Sequence, residues 1–497
     1  MSDSHTPETQ PAPKKIGILV VAYNAATTLA SVLDRIPKEF LPKVAKVIVN
    51  DDYSKDSTYL VGLGYQRMFP DLPLEIIRHP RNLGYGGNQK AGYRWAIEQG
   101  LDIVVLVHGD GQYPPEMLPQ IVEPLERDHC DAVFGSRMMV KGEARKGGMP
   151  LYKYVGNRIL TTFENKVAGM DLSEWHSGYR AYSVAALRDI PFDRNADGFE
   201  FDTQIILQFH EAGKRICETP IPTYYGDEIC YVDGMGYARD VVRDVLVYRA
   251  HKVGFGSGDT AFATHNYEQK QGDDTSHGRI VQWLERKPPC RILDLGCADG
   301  QLGERVRALG HTVIGVDLEK DDMVGERLDD FFEADLDHGI PDEVGHDYDV
   351  ILAADVLEHV RNPERLLRDM RARLTDHGTV IASIPNFGHW YPRVRVASGR
   401  FGYDRRGILD EGHVRFFTRH SFENLVSRAG YAPRRKVSVG LPLEAARRGG
   451  ATDTAQTTSE GEGLLSRTQQ IGVDLWPTLF GFQFLYELEP LPSDLTP

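Results

Sequence analysis

Arg291-Ile292-Leu293-Asp294-Leu295-Gly296-Cys297-Ala298-Asp299-Gly300 runs from an apolar strand through an acidic residue into a glycine loop. A helix is predicted next, over Leu302 to Leu309, so the loop sits between a strand and a helix, the context that a nucleotide-type glycine loop requires. Gly296 lets the backbone approach a ligand, and Gly300 permits close packing at the helix start. The following strand, Thr312 to Val316, ends at Asp317, whose carboxylate can grip a ribose diol. Outward from there come a strand over Tyr348 to Ala353, a helix over Pro363 to Leu374 and a strand over Thr379 to Ser383. The second half therefore reads as a doubly wound α/β domain.

The first half has a similar rhythm with different punctuation. Ile16-Gly17-Ile18-Leu19-Val20-Val21-Ala22 is almost wholly apolar, the pattern of a parallel strand buried on both faces. Thr27 to Arg35 has helical spacing. Val44 to Val49 is the next strand and runs into Asp51-Asp52-Tyr53-Ser54. Leu74 to Ile77, a helix over Asn88 to Glu98, Ile103 to Val107 and Ala132-Val133-Phe134 complete the alternation. His108-Gly109-Asp110-Gly111-Gln112 follows the Ile103 strand. Ligands of open parallel sheets bind at the carboxyl ends of strands, and the acidic and glycine motifs fall there. Asp51-Asp52 can accept hydrogen bonds from a nucleobase or ribose. A carboxylate after the Ile103 strand can hold a divalent ion between two phosphates.

At 497 residues the chain is too long for one ordinary core. Hydrophobic content of 41% and charged content of 26% are those of a globular protein. A net charge of -15 argues against nucleic acid as a partner. Cys130, Cys217, Cys230, Cys290 and Cys297 form no CxxC or metal-type cluster and read as reduced core residues of a cytoplasmic protein. No apolar run is long enough to cross a bilayer, and the N-terminus lacks a signal-peptide pattern, so any membrane contact is expected to be peripheral. The expected organisation is a disordered tail over 1–14, a domain over 15–255, a linker over 256–275 and a second domain over 276–497. A mobile Gly/Thr/Ser-rich loop is expected over 447–463, and a terminal strand over Leu479 to Leu488.

Residues 15 to about 250 resemble family 2 glycosyltransferases, the branch similar to polyprenyl-phosphate sugar transferases. The resemblance rests on an ordered set: Ala22-Tyr23-Asn24, Asp51-Asp52-x-Ser54, Arg81-Asn82-x-Gly84-x-Gly86-Gly87, Asp110-Gly111-Gln112-x-Pro114-Pro115, Gly135-Ser136-Arg137 and Ser177-Gly178-Tyr179-Arg180. It implies a GT-A fold and a nucleotide-sugar donor held by Ala22, Tyr23, Asn24, Asp51, Asp52, Asn82, Gly84, Asp110, Arg137 and Arg180, with the two arginines facing phosphate. It implies a Mn²⁺ or Mg²⁺ ion on Asp110 and Gln112. Where the family has Asp-x-Asp this chain has His108, a ligand better suited to Mn²⁺ than to Mg²⁺; the alternative is a site that has lost its metal. Gly198-Phe199-Glu200-Phe201-Asp202 matches the acceptor segment. Glu200 or Asp202 is a general base if the acceptor is a hydroxyl, and no base is needed if it is a phosphate.

The glycine loop of the second half is shared with Rossmann dehydrogenases, and the later motifs separate the two. Glu333-Ala334-Asp335-Leu336, the run from Asp349 to Val360 and His413-Val414-Arg415-Phe416-Phe417-Thr418 resemble class I methyltransferases that use S-adenosylmethionine. By that resemblance the cofactor meets Asp294, Gly296, Cys297, Ala298, Gly300, Asp317, Asp335 and Leu336, with Asp294 and Gly296 at the methionine end, Asp317 on the ribose and Asp335 on the adenine. If the methyl acceptor is a hydroxyl, His359 and His413 are the candidate bases; for either, the alternative is a structural hydrogen-bonding role.

Together these readings predict a two-domain α/β chain, a GT-A-like domain followed by a Rossmann-like one. The expected function is transfer of a sugar to a lipid-phosphate, glycan or small-molecule acceptor, and methylation of a glycan or small molecule, as in cell-envelope glycan biosynthesis. The alternative is a methyltransferase with a non-catalytic sugar-binding domain.

Overall fold

The computed structural model of the chain describes residues 13–224, 234–252, 275–399, 401–404, 407–440 and 472–492. These fall into two compact units that part between Arg249 and Ala250. The predicted linker up to residue 274 and the predicted loop over 447–463 lie outside the described residues.

The first unit is built on seven strands: β1 (Ile16–Ala22), β2 (Val44–Asp51), β3 (Leu74–Arg78), β4 (Ile103–His108), β5 (Ala132–Ser136), β6 (Arg180–Ser183) and β7 (Ile216–Pro220). They lie in the order β3-β2-β1-β4-β6-β5-β7. All neighbours are parallel except β6, which is antiparallel to both β4 and β5. Side chains alternate across a strand, and the core divides accordingly. Leu19, Val21, Ile48, Val104 and Leu106 enter one apolar layer. Ile18, Val20, Val47, Val49, Val105 and Val107 enter the other. The sheet is thus covered on both faces, which is why β1 and β4 read as continuous apolar runs.

The second unit repeats the principle with β8 (Arg291–Leu295), β9 (Thr312–Asp317), β10 (Asp330–Glu333), β11 (Tyr348–Ala354), β12 (Leu374–Pro385), β13 (Tyr431–Val439) and β14 (Gln483–Pro490). The order is β10-β9-β8-β11-β12-β14-β13. β14 inserts antiparallel between β12 and β13, and the other pairs are parallel. Leu293, Leu295 and Ile351 face one layer, and Ile292, Val350 and Leu352 the other. The expected two-domain α/β class, GT-A-like then Rossmann-like, is the one observed.

Three expectations are corrected. The helix expected over Pro363 to Leu374 ends at Arg371, because Leu374 already pairs with Tyr348 at the start of β12. The terminal strand expected from Leu479 starts at Gln483; Pro477–Phe480 is a helical turn, favoured by Pro at a helix start. Cys130 and Cys217 are not reduced: they are joined in a disulfide with Cα atoms 6.0 Å apart. They lie 87 residues apart and come together only because β5 pairs with β7. Among the described residues no helix is long and apolar enough to cross a membrane.

The glycine loop of the first unit shows how tightly its layers meet. A Cβ on Gly86 would lie 2.6 Å from both the Ala196 carbonyl oxygen and Phe201 Cβ, closer than such contacts allow. Gly86→Ala is expected to destabilise the first unit by about 1–3 kcal/mol. Its thermal unfolding should shift down while binding of S-adenosylhomocysteine by the second unit stays as in the unmodified chain.

Candidate active sites

In the first unit the polar groups gather where β1, β2 and β4 end. Asn24 holds a positive φ of 50°, its Oδ1 accepting from the Lys55 amide at 2.9 Å and its own amide donating to Ser54 Oγ at 2.9 Å. The Ala22 carbonyl accepts from the Asp52 amide at 2.9 Å. Asp51 is fully buried; one oxygen accepts from the Ser54 amide at 3.2 Å, and the other lies 3.4 Å from Arg78 Nε. Arg78 stacks over Tyr53, 5.2 Å from the ring centre, and Tyr23 and Tyr53 are exposed at the same edge.

Asp52, expected to contact the nucleoside, is held by the glycine loop. Its two oxygens accept from the Leu83 and Gly84 amides at 2.6 and 3.1 Å, and its carbonyl accepts from Asn82 Nδ2 at 3.1 Å. Burial raises its pKa, against the pull of those amides. Asp52, Asn82 and Gly84 are therefore one clamp that shapes the glycine loop.

The expected metal set comes apart in a similar way. Asp110 is exposed in the turn after β4, with Oδ1 accepting from the Gln112 amide at 3.0 Å. His108 instead packs its ring against Tyr113 and Tyr85, at centroid distances of 4.9 and 5.6 Å. A Cβ on Gly178 would sit 2.6 Å from His108 Nε2. Burial lowers the His108 pKa, so the ring is held neutral. Among the described residues, His108 and Asp110 enter no cluster of three His, Cys, Asp or Glu ligand atoms. Of the expected set, Asp110 is exposed with the Gln112 amide beside it, and His108 is packed between Tyr85 and Tyr113.

The two arginines expected to face phosphate are both engaged with the protein. Arg180 is 1% exposed and donates to the carbonyls of Ser177, Asp202 and Trp175 at 2.8, 2.9 and 2.8 Å. Asp202 accepts from Tyr85 Oη at 3.0 Å and Gln89 Nε2 at 3.2 Å, and its Oδ1 lies 3.6 Å from Arg180 Nη1. These two are the polar centre of the unit, and Asp202 is not placed as a solvent-facing base. Arg137 is paired with buried Glu174 and donates to the His176 carbonyl at 2.8 Å. Burial pushes the Glu174 carboxyl up, and the charge and hydrogen bonds of Arg137 overcome it, leaving the group below its ordinary value.

Glu200 is half-buried at the start of helix Phe201–Glu211. Beside it stands a residue that sequence reasoning missed. Asp244, on helix Gly234–Lys252, is pushed up to about 6, by burial first and with the Glu200 charge adding to it, against a hydrogen bond from Gln204 of 2.6 Å. In the sequence Asp244 is one more charge on a charged helix; only the packing singles it out.

In the second unit Gly296, Ala298 and Gly300 all take positive φ, of 67°, 49° and 79°, so the loop after β8 is wound tightly. Ala298 shows that a small side chain is tolerated there. The Ala298 amide donates to Asp317 Oδ2 at 2.7 Å, and the Leu318 amide to Oδ1 at 2.7 Å, which fixes the Asp317 carboxylate at the end of β9. Cys297 is buried under the loop. Asp335 follows β10, with its oxygens meeting the Asp337 amide at 2.9 Å and His338 Nδ1 at 3.0 Å; Leu336 packs at the rim of the core. Asp294 is 2% exposed, and its Oδ2 has no hydrogen-bond partner among the described residues. Burial, with the Asp317 charge adding to it, pushes its pKa up to about 7. A Cβ on Gly296 would lie 2.6 Å from Val356 Cγ2, so the turn after β11 lies directly on the loop. That turn carries His359, whose ring meets His413 with centroids 4.8 Å apart. Burial, then the neighbouring His359, lowers the His413 pKa.

Residues 17–190 match the family model Glycosyl transferase family 2, and residues 269–435 match the model Methyltransferase domain. The chain is 28% identical over 224 residues to a UDP-N-acetylglucosamine–dolichyl-phosphate N-acetylglucosaminyltransferase of Methanococcus voltae, a match covering 43% of this chain and 87% of that protein. It is 29% identical over 204 residues to an undecaprenyl-phosphate mannosyltransferase of Micrococcus luteus, covering 41% of this chain and 81% of that protein. Among solved structures, glucosyl-3-phosphoglycerate synthase from Mycobacterium tuberculosis aligns over 50% of this chain and 86% of that one, with 19% identity and a TM-score of 0.37.

The buried Asp294 has a measurable consequence. Its folded pKa of about 7 lies above the ordinary carboxylate value of 3.8, so the folded state binds the extra proton. The resulting stability is full below about pH 4 and is lost as pH rises to about 7. Asp294→Asn is expected to flatten that dependence. It should stabilise the ligand-free second unit at pH 8 by at most about 4 kcal/mol, while weakening cofactor binding. Urea unfolding at pH 5 and pH 8, with and without S-adenosylhomocysteine, checks both.

Proposed function

From a chain that carries a glycosyl transferase family 2 domain and a methyltransferase domain, we propose a bifunctional transferase. The first unit moves a sugar from a nucleotide-sugar donor to a polyprenyl phosphate. The second methylates a glycan or small-molecule hydroxyl using S-adenosylmethionine. The observation that carries this reading is one carboxylate at the carboxyl end of a central strand in each sheet: exposed Asp110 after β4 and buried Asp294, with Oδ2 unpartnered among the described residues, in β8. The lipid-phosphate acceptor is supported by the similarity to the dolichyl-phosphate and undecaprenyl-phosphate transferases of M. voltae and M. luteus. We place the reaction in the cytoplasm, with peripheral contact to the lipid, as part of cell-envelope glycan assembly.

In the first unit, Asp51 with Tyr23, Asn24 and Tyr53 receives the nucleoside, and the Asp52–Asn82–Gly84 clamp sets the loop under the phosphates. Asp110 and Gln112 would hold a divalent ion, which when bound offsets charge on the leaving diphosphate. A phosphate acceptor is already ionised and requires no base. For a hydroxyl acceptor, Glu200 and Asp244 are the acidic pair at hand.

In the second unit, S-adenosylmethionine supplies the activated methyl group. Asp294 faces its methionine end and Asp317 its ribose, while Asp335 and Leu336 flank the adenine. His359 and His413 meet the acceptor oxygen. The protein's contribution is alignment of the two reacting atoms.

The inward-packed His108 favours a second reading, in which the first unit binds a sugar donor without turning it over. Asp110→Asn and His108→Asp separate the two. With a panel of uridine and guanosine diphosphate sugars, Mn²⁺ and a polyprenyl phosphate, Asp110→Asn is expected to lower transfer by about 10²–10³-fold. An unmodified chain that neither transfers nor hydrolyses any donor, together with a His108→Asp chain that does, would establish the binding-only reading.

A further inference from the structure

The two imidazoles of the second unit are prepared for something more specific than proton transfer. His359 Nδ1 lies 2.9 Å from the Gly412 carbonyl oxygen, and His413 Nδ1 lies 3.3 Å from the Ile408 carbonyl oxygen. A carbonyl oxygen only accepts, so each Nδ1 carries the proton and each Nε2 keeps its lone pair. This is how a protein orients histidines that bind metal: the far nitrogen is tied to backbone and the near one is aimed. A carboxylate lies close to both. Glu358 is 1% exposed, and one ligand atom each from Glu358, His359 and His413 lie within 4.8 Å of one another. Among the described residues this is the one group of three or more His, Cys, Asp or Glu side chains so arranged.

The backbone holds the group from both sides. The amides of Val414 and Arg415 both donate to the Glu358 carbonyl at 3.0 Å, stitching the turn after β11 to the segment that carries His413. Asp355, at the head of that turn, accepts from Ser383 Oγ at 2.7 Å and from Gln483 Nε2 at 2.8 and 2.9 Å, which anchors it to β12 and β14. A Cβ on Gly412 would lie 3.3 Å from the His359 ring, so the absence of a side chain there is part of the approach. Bonds of about 2.0–2.2 Å to one ion span up to about 4 Å between two ligand atoms. Closing the set takes roughly an ångström of side-chain rotation.

We propose that Glu358, His359 and His413 bind a first-row transition dication of the Mn²⁺, Co²⁺ or Zn²⁺ class, which holds the methyl-accepting hydroxyl. Two imidazoles and one carboxylate suit these ions, whereas Mg²⁺ and Ca²⁺ prefer oxygen ligands alone. Three protein ligands leave positions open for substrate oxygen. The place fits the chemistry, since Val356 of the same turn packs on Gly296 at the methionine end of the cofactor loop. An ion-bound hydroxyl is acidified and passes its proton to water. Its oxygen lone pair forms the new O–CH₃ bond as the S–CH₃ pair returns to sulfur, leaving an ether and S-adenosylhomocysteine. The imidazoles therefore act through the ion rather than as free bases. This step rests on the methyltransferase reading of the unit, but the ion site does not.

The test uses full-length, metal-stripped Asp110→Asn protein, so that the first unit's expected ion site is silenced, and Co²⁺ alone as the probe. Equilibrium dialysis with visible spectroscopy is expected to show one Co²⁺ per chain. His359→Ala, at an exposed position, should weaken that binding by at least about tenfold while S-adenosylhomocysteine still binds. Glu358→Gln, which keeps the side chain's size, should do the same and guards against loss from misfolding. Co²⁺ binding that is absent, or unchanged in both variants, in protein that still binds S-adenosylhomocysteine overturns the proposal. Co²⁺ binding that depends on His359 and Glu358, in Asp110→Asn protein that does not bind S-adenosylhomocysteine, would keep the ion site and remove the methyltransferase reading instead.

Discussion

The constraint on which the rest depends is that the central strands of both sheets are buried on both faces. β1 is buried along its whole length, and the apolar residues of β8 and β11 divide between two core layers. Such strands have no room for polar side chains along their length. Acidic groups are therefore driven to the strand ends and the turns beyond, where Asp51, Asp110, Asp294, Asp317 and Glu358 are found. The two units differ in sequence and in strand order, yet each concentrates its acids at the same kind of edge.

At that edge, polar residues serve two ends that compete. Asp52, Asp202, Arg137 and Arg180 all belong to motifs that suggest ligand contact, and all four are bound to the protein itself. Arg180 donates to three carbonyls while 1% exposed. A buried guanidinium needs such partners, because an unpaired buried charge is costly. Once they are supplied, the group ties together the segments around it. Asp294 is the opposite case. Its Oδ2 is left without a partner among the described residues and its pKa is driven up to about 7, the form in which strain is retained at functional sites.

The histidines divide along the same line. His108 stands at a motif position that suggests a metal, but its ring is enclosed by Tyr85, Tyr113 and Gly178. His359 and His413 stand in motifs that suggest proton transfer, but their Nδ1 atoms are tied to backbone carbonyls and a buried carboxylate lies beside them. The residue type is the same in all three positions. What differs is what packs around the ring: aromatic side chains around His108, and backbone carbonyls beside His359 and His413.

Periodicity and punctuation by themselves determined the two α/β units, the strands from Ile16 to Ala22 and from Arg291 to Leu295, and the turns that carry the acids. Those features are local: a doubly buried strand must be apolar, and a tight loop must have glycine or a small residue. The tertiary structure alone decided the Cys130–Cys217 pairing, the placement of β14 between β12 and β13, the elevation of Asp244, and the meeting of Glu358 with His413. Each joins segments tens of residues apart, through strand pairing or burial that no short window of sequence encodes. It also decided which charged motif residues face outward. Direction depends on what packs behind a side chain, and that is a property of the assembled sheet rather than of its strands.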